Sequence, residues 1–143
     1  DILETMGAYV DTLKFAGGSF SLMPRQVVKE LIDICHAHNV RVSTGGFIEY
    51  VLTQGSDAVN LYIQECKEIG FDIIEISSGF ITVPTEDLVR LVEKVQKAGL
   101  HAKPEVSLDL AVQVQLQNWR QRERAIRNGQ YCKQNDFWRP GRT

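Results

Sequence analysis

Four extended apolar segments recur along this chain at nearly equal distances, and each leads into a cluster of small or acidic residues. They are residues 9–18 (YVDTLKFAGG), 40–46 (VRVSTGG), 72–79 (DIIEISSG) and 100–106 (LHAKPEV). The ends of these segments lie roughly 30 residues apart, which is the length of a strand, a loop and a crossover helix together. The chain is therefore predicted to consist of consecutive βα units.

Apolar residues at three- and four-residue steps predict a helix after each of the first three strands. Ser56 and Thr85 are predicted as N-caps, because their hydroxyl groups can accept backbone hydrogen bonds there. Asn39, Gly70 and Gly99 are predicted as left-handed stops. The predicted helices cover residues 24–38, 47–53, 56–69 and 85–98, the second of them short.

Parallel strands joined by helices form either an open doubly wound sheet or a closed (β/α)8 barrel. The even unit size, the polar residues at the strand ends and the lack of GxGxxG after the first strand favour the barrel. Since four units cannot close a barrel of eight, we expect an α/β fold that is a partial (β/α)8 TIM barrel over residues 1–110. Its uncovered edges predict self-association or association with another barrel fragment.

Length and composition limit the classes of protein to which this chain can belong. The chain has 143 residues, of which 43% are hydrophobic, enough for one domain with a core. No apolar run approaches the ~18 residues of a membrane span, and no signal peptide is visible, so the expectation is a soluble cytoplasmic protein without a membrane partner. Three scattered cysteines without CxxC spacing predict buried or free thiols rather than a zinc site.

The C-terminal part of the sequence differs in charge from the rest. Residues 113–143 carry seven Lys or Arg against two acidic residues, whereas the whole chain has a net charge of −2. We expect a second region at residues 111–143, a basic and poorly packed tail. Its charge and two tryptophans permit nucleic-acid binding, but nucleic acid is not favoured as a partner.

Groups capable of chemistry stand where the strands end, and parallel strands bring such groups to one rim. Carboxylates near a lysine suit Mg²⁺ and an anionic ligand, such as a small phosphorylated molecule. Lys14 is open to three interpretations, an anion-binding cation, a surface lysine or a Schiff-base lysine. Glu75 is predicted to face the barrel interior, opposite to its neighbours. The strand-end candidates are Lys14, Ser43, Thr44, Glu75, Ser77, Lys103 and Glu105.

Two further features allow a functional and a structural interpretation. Glu49 is either a metal ligand or an acid placed for the dipole of a helix start. The pairs Gly17–Gly18 and Gly45–Gly46 either let backbone amides approach an anion or form tight turns. The three histidines have no metal-ligand spacing.

The strand-end motifs resemble those of the phosphosulfolactate synthase family, (β/α)8 enzymes, and within it the plant branch of heat-stress-associated proteins. The matching segments are YVDTLKFAGGSFSLMP at 9–24, VSTGGFIEY at 42–50, YIQECKEIGFDIIEISSGF at 62–80 and AKPEV at 102–106. The resemblance implies that the first strand and the last three of the barrel are missing. From about Leu110 the motifs show no resemblance.

The resemblance also implies site residues. These synthases add sulfite to phosphoenolpyruvate with Mg²⁺, and an enediolate intermediate forms on the way. By resemblance the catalytic residues are Lys14, at the substrate anion, Glu75 and Glu105, while Glu75, Glu105 and Glu49 are the metal ligands. The implied substrate-binding residues are Gly17, Gly18, Ser19, Thr44, Gly45, Gly46 and Ser77.

Departures from the family pattern shape the functional expectation. The family pattern EISDGS reads EISSGF at residues 75–80, where Ser78 replaces an acid. The family pattern EVGKK reads EVSLD at residues 105–109, so both lysines are lost. The family pattern GGTLFE reads GGFIEY at residues 45–50, which keeps an acid, Glu49, but has no threonine. We expect a truncated plant-type member that does not catalyse sulfite addition and is linked to heat tolerance. The alternative is a Mg-dependent lyase or synthase acting on phosphoenolpyruvate or a similar phosphorylated, enolisable substrate.

Overall fold

The strands form one parallel sheet in the order in which they occur in the chain. A computed structural model describes residues 2–105. Its sheet has four strands in chain order, and every neighbouring pair is parallel. A doubly wound sheet reverses its strand order at a switch point, and no reversal occurs among these four strands. The α/β class and the partial-barrel prediction are confirmed. The strands are Thr12–Lys14 (β1), Arg41–Ser43 (β2), Ile73–Ser77 (β3) and His101–Glu105 (β4).

Helices connect the strands as the apolar periodicity predicts. One helix joins β1 to β2, two helices join β2 to β3, and one helix joins β3 to β4. Asn39 (φ 60°), Gly70 (φ 112°) and Gly99 (φ 87°) have left-handed backbones after their helices, as predicted. A short first helix, α1, was not predicted. The helices are Ile2–Met6 (α1), Arg25–Ala37 (α2), Ile48–Leu52 (α3), Ser56–Ile69 (α4) and Thr85–Lys97 (α5).

The predicted N-caps are wrong by one residue. Ser56 and Thr85 are the first residues of α4 and α5, and Gly55 and Pro84 hold the N-cap positions without a side-chain cap hydrogen bond. Gly55 has φ 98° and ψ 176°, a conformation that only glycine adopts readily. Pro84 is extended and fixes the direction in which the chain enters α5. Backbone conformation therefore sets both helix starts.

The core lies on the side of the sheet that the helices cover. Val42, Ile74 and Ile76 are fully buried there. Aromatic rings from the connecting segments pack edge-to-face at centroid distances of 5.3 to 6.0 Å, and one further pair is tilted at 5.0 Å. The opposite face carries charged side chains. The buried residues of the helices include Val28, Ile32, Val51, Val59, Ile63, Cys66, Leu91 and Val95.

Cys35 and Cys66 are buried free thiols, as predicted, and burial raises the pKa of both. Cys132, the domain boundary near residue 110 and the tail 111–143 lie outside the described residues, so those predictions stay predictions. Within residues 2–105, no helix has the length and apolar character needed to cross a bilayer.

Candidate functional site

Four charged side chains meet at the carboxyl end of the sheet, on the face away from the helices. Glu75 is paired in register with Lys103, and Ser77 is paired with Glu105, so these side chains project from the same face. Lys14 comes from the end of β1 and reaches across β2 to join them. We call Lys14, Glu75, Lys103 and Glu105 the strand-end cluster. The structure thus brings together Lys14, Glu75 and Glu105, the three residues predicted as catalytic.

Glu75 is the buried centre of this cluster. Its side chain is only 2% exposed, and its Oε2 lies 2.7 Å from Lys14 Nζ and 3.5 Å from Lys103 Nζ. A buried carboxylate is costly unless charge and hydrogen bonds compensate it, and two ammonium groups do so here. The backbone N–H of Glu75 also donates to Thr44 Oγ1 at 3.3 Å.

Lys14 is held as a cation. Its hydrogen bond to Glu75 raises the pKa of the ammonium group, and the charges of Glu75 and Glu105 add to this effect, while desolvation opposes it. A Schiff-base lysine needs the opposite, a lowered pKa that leaves the amine uncharged. The geometry therefore favours the cation interpretation of Lys14. Its side chain is 38% exposed, so a ligand can reach it.

Glu105 forms the outer edge of the cluster. Its Oε1 lies 3.5 Å from Lys14 Nζ and 3.7 Å from Lys103 Nζ, and its side chain is half exposed. Burial alone would raise the pKa of this carboxyl, but the charges of Lys14 and Lys103 together lower it. Because solvent screens an exposed pair, Glu105 contributes less to the cluster than Glu75 does.

Glu49 lies near this rim but binds a different part of the protein. Its Oε1 accepts hydrogen bonds from the Ser77 hydroxyl (2.5 Å) and the Gly79 N–H (3.1 Å). Its Oε2 accepts from the N–H groups of Phe80 (2.5 Å) and Ile81 (3.1 Å). Successive backbone N–H groups form a cradle for an anion, and the carboxylate of Glu49 fills this one. Glu49 therefore fixes the loop that follows β3.

The glycines of the strand-end loops make close internal contacts. Gly45 has φ 64°, and a Cβ there would lie 2.2 Å from the carbonyl oxygen of Phe15. Gly18 has φ 75°, and a Cβ there would lie 2.3 Å from the ring of Phe47. Of the two interpretations, tight packing therefore describes these glycines better than an open approach to an anion.

The remaining predicted substrate-binding residues divide into two groups. Thr44 is buried and donates to the carbonyl of Gly45, and Ser77 binds Glu49, so both are engaged in internal hydrogen bonds. Gly46 lies against the Ser77 hydroxyl. Gly17 and Ser19 are exposed in the loop after β1. Of these residues, only Gly17 and Ser19 are open to a ligand without rearrangement.

The donors at the rim fit a magnesium ion poorly. Among residues 2–105, no group of three or more His, Cys, Asp or Glu side chains is placed to hold a metal. Both oxygens of Glu49 are occupied by Ser77 and the loop after β3. One oxygen of Glu75, Oε2, and one of Glu105, Oε1, each face two ammonium groups. A Mg²⁺ ion bound to one or two carboxylates would thus have two like charges beside it.

Lys103 was predicted to lie at the rim, but it is the member of the cluster to which no catalytic, metal-binding or substrate-binding role was assigned. Its spacing of two residues from Glu105 places both on one face of a strand, and this signal is readable from the sequence. Its alignment with Glu75 depends on the register of β3 and β4, which the sequence does not reveal.

Comparisons with known proteins place the chain in context. The model of the family described as (2R)-phospho-3-sulfolactate synthase (ComA) matches residues 1–133. The prediction that the resemblance ends at about Leu110 is therefore wrong, because the match extends beyond the recognisable strand-end motifs. Protein HEAT-STRESS-ASSOCIATED 32 of Arabidopsis thaliana is 46% identical over 104 residues, which are 73% of this chain and 36% of that protein.

Two archaeal proteins are also similar. Phosphosulfolactate synthase of Methanothermobacter thermautotrophicus is 34% identical over 106 residues, 74% of this chain and 41% of that protein. The protein of the same name from Methanocaldococcus jannaschii is 30% identical over 107 residues, 74% of this chain and 42% of that protein. The chain thus spans about two fifths of the length of these curated relatives.

Proposed function

The chain belongs to the phosphosulfolactate synthase family, and we propose that it binds a small phosphorylated anion at the strand-end cluster without catalysing sulfite addition to phosphoenolpyruvate. The observation that carries this proposal is the Lys14 ammonium group, which the buried Glu75 holds at the rim at 2.7 Å. Lys14 is more than a third exposed and its pKa is raised, so a fixed positive charge faces the open side of the sheet.

The capacity of Lys14 to bind an anion follows from its hydrogen-bond donors. An ammonium group has three N–H donors and no acceptor. Glu75 Oε2 and Glu105 Oε1 lie 2.7 and 3.5 Å from Nζ, so they account for two of these donors. The remaining donor is available to a phosphate or carboxylate oxygen, and such charge-assisted hydrogen bonds are stronger than neutral ones.

The absence of catalysis is proposed on the chemistry that sulfite addition requires. Attack on the methylene carbon of phosphoenolpyruvate builds negative charge that an electrophile must stabilise. Here the carboxylates that would hold a metal face lysines, and Ser78 stands where the family pattern has an acid. These two features support a binding protein rather than a synthase.

The proposal of a role in heat tolerance rests only on similarity to one relative. The plant relative at 46% identity is named for its association with heat stress, and we extend that association to this chain. No residue of the strand-end cluster explains such a role physically. Loss of this protein is expected to lower survival of its source organism after heating, and unchanged survival would contradict the extension.

The exposed edges of the sheet support a proposal about assembly. Within residues 2–105, β1 and β4 each pair with a strand on one side only. Edge strands present backbone groups that another chain can pair with. We therefore expect self-association, or association with another barrel fragment, in sedimentation experiments over a range of concentrations. A monomer that melts cooperatively at every concentration would contradict this.

The test of the proposed function is a comparison of binding with turnover. The full chain is mixed with phosphoenolpyruvate, sulfite and Mg²⁺, and phosphosulfolactate is measured by mass spectrometry. Phosphoenolpyruvate binding is measured in parallel by calorimetry. Binding without product is expected. Product formation would contradict the proposal and support the alternative of a Mg-dependent lyase.

A further inference from the structure

The strand-end cluster contains a second lysine whose position bears on the role of metal. Lys103 Nζ lies 3.5 Å from Glu75 Oε2 and 3.7 Å from Glu105 Oε1. These are the same two oxygen atoms that Lys14 Nζ contacts, at 2.7 and 3.5 Å. The two lysines therefore share one pair of carboxylate oxygens.

This arrangement balances charge without a metal ion. Two ammonium groups and two carboxylates sum to zero, so the buried Glu75 is already compensated. A divalent cation on the same oxygens would be repelled by both ammonium groups. At a given distance each repulsion is twice that between two ammonium groups, because the cation carries two charges. The cluster thus disfavours a metal at the place where the family resemblance puts one.

Lys103 also keeps hydrogen-bonding capacity for a ligand. Its side chain is 51% exposed, and its contacts with Glu75 and Glu105 are at 3.5 Å or longer, so they are weaker than the contact of Lys14 with Glu75. Lys103 and Lys14 project from the same face of the sheet and converge on the same oxygens. A small dianion at the rim would meet N–H donors from both.

We infer that Lys103 takes the place of a divalent metal in this protein, so that Lys14 and Lys103 together bind a phosphorylated carboxylate without Mg²⁺. This inference rests on the proposed function and adds to it the chemistry by which the anion is recognised. In this inference Glu75 and the two lysines have different roles. Glu75 holds the two ammonium groups in position, and the two lysines contact the ligand.

The first experiment measures phosphoenolpyruvate binding to the full chain by calorimetry, in excess EDTA and in excess Mg²⁺. The dissociation constants are expected to agree within about twofold. Binding that appears only with Mg²⁺ would overturn this inference and leave the proposed function standing. Absence of binding in both solutions would overturn the proposed function and this inference with it.

The second experiment uses variants of Lys103 in the same assay and with Mn²⁺ as a paramagnetic probe. Lys103→Gln is expected to weaken phosphoenolpyruvate binding about tenfold and to gain stoichiometric Mn²⁺ binding, because one like charge has left the carboxylates. Lys103→Arg should bind phosphoenolpyruvate more tightly than Lys103→Gln does, because it keeps the positive charge. Lys97→Gln, on the exposed side of α5, is the matched control and should behave as the wild type.

Because Lys103 is half exposed, its replacement by glutamine is expected to keep the strand intact, and a thermal melt of the variant checks this. Stoichiometric Mn²⁺ binding by the wild type that Glu75→Gln abolishes would overturn the inference. So would a Lys103→Gln variant with unchanged affinity for both phosphoenolpyruvate and Mn²⁺.

Discussion

Lys14 Nζ lies 2.7 Å from Glu75 Oε2, although the two residues come from strands β1 and β3, which are separated by β2. The contact spans the open face of the sheet, and Lys103 approaches the same oxygen from β4. A single buried carboxylate therefore ties together three of the four strands.

Removal of the buried charge should destabilise the fold. In Glu75→Gln, two ammonium groups lose their common carboxylate, and unfolding in urea should show a loss of about 1 to 2 kcal/mol. This value lies below that for a fully buried pair because both lysines are partly exposed. Glu86→Gln, at an exposed position of α5, is the control and should change stability by less than about 0.5 kcal/mol. Equal effects of the two variants would argue against a central role for Glu75.

Glu49→Gln should loosen the loop after β3. A glutamine amide has only one oxygen to accept from the four donors, and loss of charge-assisted hydrogen bonds costs about 1.5 to 3 kcal/mol. Hydrogen exchange at the amides of Gly79, Phe80 and Ile81 should become faster than in the wild type, and exchange in α2 should change less. If Glu49 served as a metal ligand instead, these amides would keep their protection and metal affinity would fall.

The pKa shifts define a pH window for the cluster. The pKa of Glu105 is lowered from its usual 4.5, so its stabilising effect is present above pH 4.5 and is lost as the pH falls through the lowered value. The pKa of Lys14 is raised from its usual 10.5, so its effect is present below pH 10.5 and is lost as the pH rises through the raised value.

The free energy of unfolding, measured against pH, should therefore fall on the acid side, where Glu105 becomes protonated, and on the alkaline side, where Lys14 loses its proton. We call these falls the acid limb and the alkaline limb. Glu105→Gln should flatten the acid limb, whereas Glu93→Gln, an exposed acid of α5, should leave it unchanged. An acid limb of the same slope in Glu105→Gln and wild type would show that Glu105 is not coupled to the lysines.

Two glycines of similar backbone conformation should respond differently to alanine. Gly45→Ala places a Cβ 2.2 Å from the Phe15 carbonyl oxygen and should cost roughly 3 kcal/mol or more. Gly17 has φ 57°, but no atom lies within 4 Å of the added Cβ, so Gly17→Ala should cost only about 1 kcal/mol of backbone strain. Chemical denaturation measures both. Equal losses would mean that backbone conformation alone, and not the contact with Phe15, requires glycine at position 45.

Local patterns in the sequence predicted most of the fold. The apolar spacing of α2, α4 and α5 identified these helices to within one or two residues, because each buries one face against the sheet. Strand alternation also predicted that Glu75 faces away from Ile74 and Ile76. Such features depend on residues that are close together in the chain.

The rest of the site depends on contacts between distant residues. Glu49 accepts hydrogen bonds from a loop that lies about 30 residues later in the chain, and no local pattern indicates this pairing. The N-caps were predicted one residue too late, at Ser56 and Thr85, because the backbone of the preceding glycine and proline, rather than a hydroxyl group, sets the helix starts.

The most direct test of the account measures phosphoenolpyruvate affinity by calorimetry in the wild type, Lys14→Gln and Lys97→Gln. The account predicts that Lys14→Gln weakens binding about tenfold or more while Lys97→Gln binds as the wild type does. Equal affinity of all three proteins, with folding verified for each, would contradict the claim that the lysine held by Glu75 forms the anion site.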